Sequence, residues 1–290
     1  MIRRKFYAIL TVLSVMLSVC FYAGEVEASE YEKINLSSVN ANEYLTMKEL
    51  ANSSDIKLIS EGYTENEIKE IRDYKNIYEK HIRDLSNLDE SVLKAHGYSS
   101  AQINDIKNFN GSESQMIRAA ASCNINASHS NFTALDGDLT RGKVTFSWVW
   151  TGVPAYKLTD IVAFTWNSWV VSSYGSTVGY YNVNTGASVS SKSATFSTQK
   201  HGTDGGKFTF KMTNGDGTYA KSGSGYLNVK SDTYCAKNIY YYFEYGHSKV
   251  VPTADLSFTI IGSPGFADSI DFSINVTTED AYDGKHEFTP

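Results

Sequence analysis

The residues of this chain best suited to acid–base or metal chemistry lie in its C-terminal half. They are the histidines His129, His201, His247 and His286 and the acids Asp160, Glu244 and Asp271. The histidines are scattered, with no HxH or HExxH spacing, so a metal site would have to be assembled in space. Paired carboxylates for glycoside hydrolysis carry the same requirement. There is no GxSxG elbow, no SxxK followed by SDN or KTG, and no CxxC pair or papain-like cysteine context. Asp136-Gly137-Asp138 and Asn214-Gly-Asp216-Gly resemble pieces of calcium loops but lack the closing acid, and read as turns. No catalytic residue, metal or cofactor is therefore assigned.

The aromatic side chains are the richer signal. All four tryptophans, Trp148, Trp150, Trp166 and Trp169, fall after Cys123, with 12 of the 20 tyrosines and 11 of the 14 phenylalanines. Trp148 and Trp150 share one face of a strand, and the centre of a core is their favoured place over an exposed stacking platform. Trp166 and Trp169 are three apart and face opposite sides of a regular strand. The run Tyr240-Tyr241-Tyr242 with Tyr245 likewise places tyrosine on both faces. Trp166, Trp169, Tyr240, Tyr241, Tyr242 and Tyr245 are thus the candidate ligand-binding aromatics. Rigid rings beside Ser, Asn and Gly suit a flat ligand or a partner surface.

The start of the chain determines where such a surface would work. Arg3, Arg4 and Lys5 are followed by an apolar run from Phe6 to about Ala23 and by Val26-Glu27-Ala28. This is the pattern of a cleavable secretory signal over residues 1–28, cut between Ala28 and Ser29. Leu17-Ser18-Val19-Cys20 is similar to a lipoprotein box, but Val19 stands where a small residue belongs, so anchoring through Cys20 is not expected. Export leaves Cys123 and Cys235. They are a candidate disulfide in an oxidising compartment, or two unrelated thiols. The net charge of −6 and the lack of clustered Lys or Arg in the mature chain argue against nucleic acid as a partner.

Two periods divide the elements that must position these groups. From Glu30 to Ser122 apolar residues recur three and four apart, without Trp or Pro, as in helices. An internal repeat with a 35-residue offset aligns Leu58-Ile-Ser-Glu-Gly62-Tyr63-Thr64-Glu-Asn-Glu67-Ile68 with Leu93-Lys-Ala-His-Gly97-Tyr98-Ser99-Ser-Ala-Gln102-Ile103. In each copy the glycine suits a left-handed helix end, the Thr or Ser an N-cap, and the Glu or Gln a capping box. Each copy reads as a helix–turn–helix, and two such short units are expected to pack on each other. Residues 108–122 look like a linker. From Cys123 the period becomes two, as in Lys143-Val-Thr-Phe-Ser-Trp-Val-Trp150, with turns expected at Thr151-Gly152, Thr185-Gly186, Asp204-Gly205-Gly206, Asn214–Gly217 and Ser222-Gly-Ser-Gly225. The expected fold is α+β. A helical domain spans 29–107 and an antiparallel β-sandwich or barrel-like domain spans 123–290.

The short basic signal, the Lys-, Asn-, Ile- and Tyr-rich composition and the Gly-Tyr-[Thr/Ser]-x-x-[Glu/Gln]-Ile hairpins resemble secreted proteins of low-GC Gram-positive bacteria with a helical leader half and a β-rich C-terminal half. The resemblance is one of texture and implies no activity, cofactor or site residue. The leading expectation is a secreted, non-enzymatic protein whose β domain binds an extracellular glycan, cell wall or partner protein. One alternative is a membrane-active toxin with residues 29–122 as a pro-region and Ser/Thr-rich strands lining a pore. The other is a hydrolase with a spatially assembled carboxylate and histidine site.

Overall fold

The first element among the described residues is a strand lying inside the stretch whose spacing reads as helical. The computed structural model describes residues 38–60, 63–135, 139–166, 169–198, 205–231, 241–247 and 270–274. Cys20, Ala28 and Ser29 lie outside these residues. Strand β1 (Ser38–Asn42) alternates Val39 and Ala41 between polar neighbours and pairs antiparallel with β2 (Ser122–Leu135), from Ser38↔Asn126 to Asn42↔Ser122. Its partner lies beyond the helices, so local spacing carries no trace of it.

Among the described residues seven helices follow: α1 (Glu43–Leu50), α2 (Asp55–Ser60), α3 (Glu65–Arg72), α4 (Tyr74–Ser86), α5 (Glu90–His96), α6 (Ser100–Lys107) and α7 (Glu113–Ala119). Both capping boxes form. The Thr64 hydroxyl accepts from the Glu67 N–H while the Glu67 carboxylate accepts from the Thr64 N–H, and Ser99 and Gln102 repeat the arrangement. Gly97 ends α5 at φ 95°, the left-handed conformation that glycine adopts without penalty. Gly62 lies outside the described residues. Within 108–122, the segment read as a linker, α7 forms and Ala119, Ala120 and Ala121 are buried.

The remaining strands build two antiparallel sheets. They are β3 (Leu139–Thr151), β4 (Thr159–Trp166), β5 (Trp169–Asn182), β6 (Ser188–Lys192), β7 (Thr195–Thr198), β8 (Gly205–Lys211), β9 (Thr218–Ser231), β10 (Tyr241–His247) and β11 (Ile270–Ile274). One sheet runs β1-β2-β3-β9-β5-β6 and the other β11-β10-β4-β8-β7, and neither order closes on itself. The α+β class, with helices mostly N-terminal and a β-rich C-terminal half, is therefore the one expected from the two periods.

The inner faces of the sheets meet through rings. Phe146 of β3 lies 5.3 Å from Phe164 and 5.0 Å from Phe208, and Trp148 stacks on Phe210 at 4.7 Å. Trp148 and Trp150 are both buried, on the face they share. Gly205-Gly206, expected in a turn, open β8, and Ser222-Gly-Ser-Gly225, expected to be a turn, lies in the interior of β9. Gly223 sits opposite Trp148 and Gly225 opposite Phe146, and the glycines leave room for those rings.

The helical segment is seated on the strand ends. Tyr98 covers Gly152, and its hydroxyl accepts from the Val153 N–H at 2.9 Å. His96 is buried, and burial lowers its pKa. In the neutral ring Nε2–H donates to the Val183 carbonyl at 2.7 Å and Nδ1 accepts from the Tyr219 hydroxyl at 2.9 Å. Helices and sheets share one hydrophobic cluster.

Candidate functional site

Two of the residues singled out for acid–base chemistry come together. Asp160 at the start of β4 and His247 at the end of β10 are fully buried, with His247 Nδ1 at 2.9 Å from Asp160 Oδ1. The Tyr245 hydroxyl also donates to Asp160. The third member, Glu43, enters from 204 residues away, its Oε1 at 3.0 Å from His247 Nε2. Local chemistry delivers Glu43 to this place. Asn42 ends β1 and caps α1, accepting from the Leu45 N–H at 3.1 Å and donating to the Ile117 carbonyl at 2.9 Å. The Glu43 N–H donates to the Ala121 carbonyl, and its carboxylate accepts from the backbone N–H groups of Ala155 and Tyr156 at 2.9 and 3.0 Å.

This arrangement is an imidazolium held between two carboxylates. Burial opposes the charge on His247, but Asp160 and Glu43 outweigh it and raise the pKa from 6.5 to about 9. Burial also raises the Glu43 carboxyl, yet the hydrogen bond and charge of His247 and the two backbone donors bring it below its ordinary 4.5. The indole of Trp150 lies 4.6 Å from the imidazole and closes that side. Both ring nitrogens face carboxylates and no part of His247 is exposed, so the ring has no lone pair to take a proton from a substrate or water. The cluster joins α1 to β10, and its chemistry is that of a structural bolt.

Its linkage to pH has a definite sign. The His247 contribution is fully present below pH 6.5 and is lost as pH rises through about 9. The Glu43 contribution is present above pH 4.5 and is lost as pH falls through its lowered value. The thermal midpoint is expected to plateau between these limits and fall on both sides. The His247 ring signals in an NMR titration should still report imidazolium at neutral pH; a ring already neutral there would contradict the assignment.

A different surface suits a ligand: the outer face of the six-stranded sheet. Alternation that sends Phe146, Trp148 and Trp150 inward sends Arg141, Lys143, Thr145 and Ser147 outward. On β9 the outward set is Ser222, Ser224, Tyr226, Asn228 and Lys230, and on β2 it is Asn124, Asn126 and Ser128. Cross-strand hydrogen bonds tie this face together, Ser128 to Thr145 at 2.6 Å and Asn228 to Ser173 at 2.8 Å. Tyr226 lies across Gly175 of β5, where any Cβ would stand 2.7 Å from the ring, and Lys143 Nζ sits 4.8 Å from the ring centre. Two open grooves flank this point. One, of about 350 Å³, runs past Asn126, Thr145, Ser224 and Tyr226, and the other, of about 500 Å³, past Arg141, Ser172, Asn228 and Lys230.

The other expected site residues are placed as follows. Tyr245, expected among exposed tyrosines, is fully buried, because its inward parity carries it to Asp160. Trp166, Trp169, Tyr241 and Tyr242 belong to β4, β5 and β10, with side chains outside the described set, and Tyr240 lies outside the described residues. The side chains of Glu244 and Asp271 and the residues His201 and His286 fall outside it too, as does the side chain of His129. Cys123 is buried opposite Trp150, burial and the Asp160 charge hold its thiol well above the ordinary range, and it has no disulfide partner among the described residues. Cys235 lies outside them. Sequence reasoning passed over Tyr226, Lys143, Arg141 and Lys230. The available signal was the polar set of Lys143, Thr145 and Ser147, spaced two apart opposite Trp148 and Trp150.

No family model matches the chain and no curated protein matches it. Among solved structures the chain has a weak likeness to AvmM, which catalyses macrocyclization in alchivemycin A biosynthesis. The identity is 8%, over 46% of this chain and 78% of that chain, at a TM-score of 0.21. A second likeness is to the KRT10-binding region domain of the pneumococcal serine rich repeat protein PsrP. That one has 12% identity over 43% of this chain and 87% of that chain, at a TM-score of 0.18. At such scores neither carries an argument about fold or function.

Proposed function

We propose that this chain is an exported, non-enzymatic binding protein that takes an extracellular glycan or cell-wall surface on the outer face of its six-stranded sheet. In this reading the two facing sheets form a β-sandwich, and the helical segment is a fixed buttress. The observation that carries it is the seating of Tyr226 on Gly175 among cross-strand Ser, Thr and Asn side chains. A flat ring beside fixed hydroxyl and amide groups can stack on a sugar and hydrogen-bond its edges. The export pattern of residues 1–28 supports an extracellular setting.

The pro-region alternative has a structural consequence. Excision of residues 29–122 would remove β1 from the edge of β2 and Glu43 from His247. The proposal is tested by retention of the full chain on immobilised glycans and cell-wall fractions. Tyr226→Ala is expected to weaken retention roughly tenfold while leaving the unfolding transition intact, the loss typical of a central aromatic anchor. Retention on none of these surfaces, or retention unaffected by Tyr226→Ala, would overturn it. Release of dye from liposomes by the chain would favour the membrane-active alternative.

A further inference from the structure

The strands of the six-stranded sheet contain no aspartate or glutamate, in a protein whose net charge is −6. They contain five cationic side chains: Arg141, Lys143, Lys192, Lys221 and Lys230. Two of these are engaged, Lys192 with the Asn214 side chain at 2.5 Å and Lys221 with the Ala95 carbonyl at 2.7 Å. The other three stand together on the outer face. Arg141 and Lys230 are directly opposite each other on β3 and β9, and Lys143 lies two residues along β3 beside Tyr226. Among the described residues none of the three has a carboxylate within ion-pair reach.

Like charges directly opposite on neighbouring strands destabilise a sheet, with Cβ atoms about 5 Å apart. A carboxylate on any flanking strand would relieve that repulsion at no cost to the core, because these positions face solvent. Their arrangement instead leaves positive charge uncompensated among the described residues, beside an aromatic platform and a row of hydroxyls.

We infer that the ligand of this face is an acidic polysaccharide, whose sugar ring stacks on Tyr226 while its anionic groups meet Lys143 and the Arg141–Lys230 pair. The inference rests on the outer-face reading and adds the ligand's charge to it. The two cation positions are roughly 7 Å apart along the strand, so they take successive anionic groups of one polymer in place of a single ion. Hydroxyls of Thr145 and Ser224 and the amide of Asn126 supply the uncharged contacts around the ring. A neutral glycan would leave the Arg141–Lys230 repulsion in place.

The test uses the full chain and three acidic probes, polygalacturonate, dextran sulfate and a polyol phosphate, against uncharged dextran of similar length. Binding of at least one acidic probe and not of dextran is expected, and which one binds identifies the anionic group. Affinity should fall as ionic strength rises from about 0.01 to 0.15 M, where the screening length shortens from about 30 to 8 Å. Arg141→Glu converts the repelling cross-strand pair into an attracting one. It is expected to keep or raise the thermal midpoint while weakening binding roughly tenfold, so loss of binding is separated from loss of fold. Lys143→Gln should weaken binding in the same direction.

Dextran binding as strongly as the acidic probes, or Arg141→Glu binding like the parent chain, would overturn the inference. If dextran binds and Tyr226→Ala abolishes it, the outer-face reading survives and only the ligand's charge is wrong. Preference for single-stranded nucleic acid, an acidic peptide or anionic vesicles over all the polysaccharides would also overturn it. Failure of every probe to bind removes both.

Discussion

Glu43→Ala is expected to destabilise the protein by about 3–5 kcal/mol, the cost of breaking a buried ion pair by removing one partner. For a chain of this size that is a fall in the thermal midpoint of roughly 10 °C. The magnitude follows from what the carboxylate holds. His247 would keep a single anionic partner in a fully buried position, and the Ala155 and Tyr156 N–H groups would lose their acceptor. His247→Ala should cost a comparable amount, because it leaves Asp160 and Glu43 buried without the cation between them. The double variant should cost less than the sum of the two single changes, since each single change already breaks the same link. Calorimetric midpoints of the four proteins check this. A loss below about 1 kcal/mol for Glu43→Ala would mean that the contact is not closed in solution. The change should also raise hydrogen exchange in β1 and α1, the elements that Glu43 ties to β10.

Alanine at Gly223 or Gly225 is expected to be the most damaging single-methyl change in the sheet. A Cβ at Gly223 would stand 2.1 Å from the Trp148 ring, and one at Gly225 would stand 2.3 Å from Phe146 and 2.7 Å from the Gly175 carbonyl oxygen. Neither ring can retreat, because Trp148 already stacks on Phe210 and Phe146 is packed against Phe164 and Phe208. Overpacking of this kind typically costs about 1–3 kcal/mol, and backbone on the second side places Gly225→Ala at the upper end. Ser224→Ala, between them and facing outward, should stay within about 0.5 kcal/mol. Near-ultraviolet circular dichroism and the urea midpoint report the difference. Equal tolerance of all three substitutions would mean that the aromatic layer does not rest on β9.

Much of the architecture was legible because it is local. The capping boxes at Thr64 and Ser99 are written three residues apart, so composition and spacing suffice to read them. The change of period at Cys123 divides helices from strands, and two-residue alternation places Trp148 and Trp150 on one inward face. Tertiary structure decided everything that needed a distant partner. Ser38–Asn42 is a strand only because β2 lies beside it, and short strands draw their stability from pairing. Ser222–Gly225 carries the same glycine signal as a turn, and only the rings above it show that the glycines serve close approach. Asp160 and His247 were visible as candidates, but whether they react or bolt the fold together depends on their burial and on Glu43, 204 residues away. The outer face shows the same division: sequence alone determined which residues alternate outward, while only the pairing of β3 with β9 set Arg141 against Lys230 and only the pairing of β5 with β9 laid Tyr226 across Gly175. Contacts between strands far apart in the chain have no local period, so they exist for a reader only once the sheet is assembled.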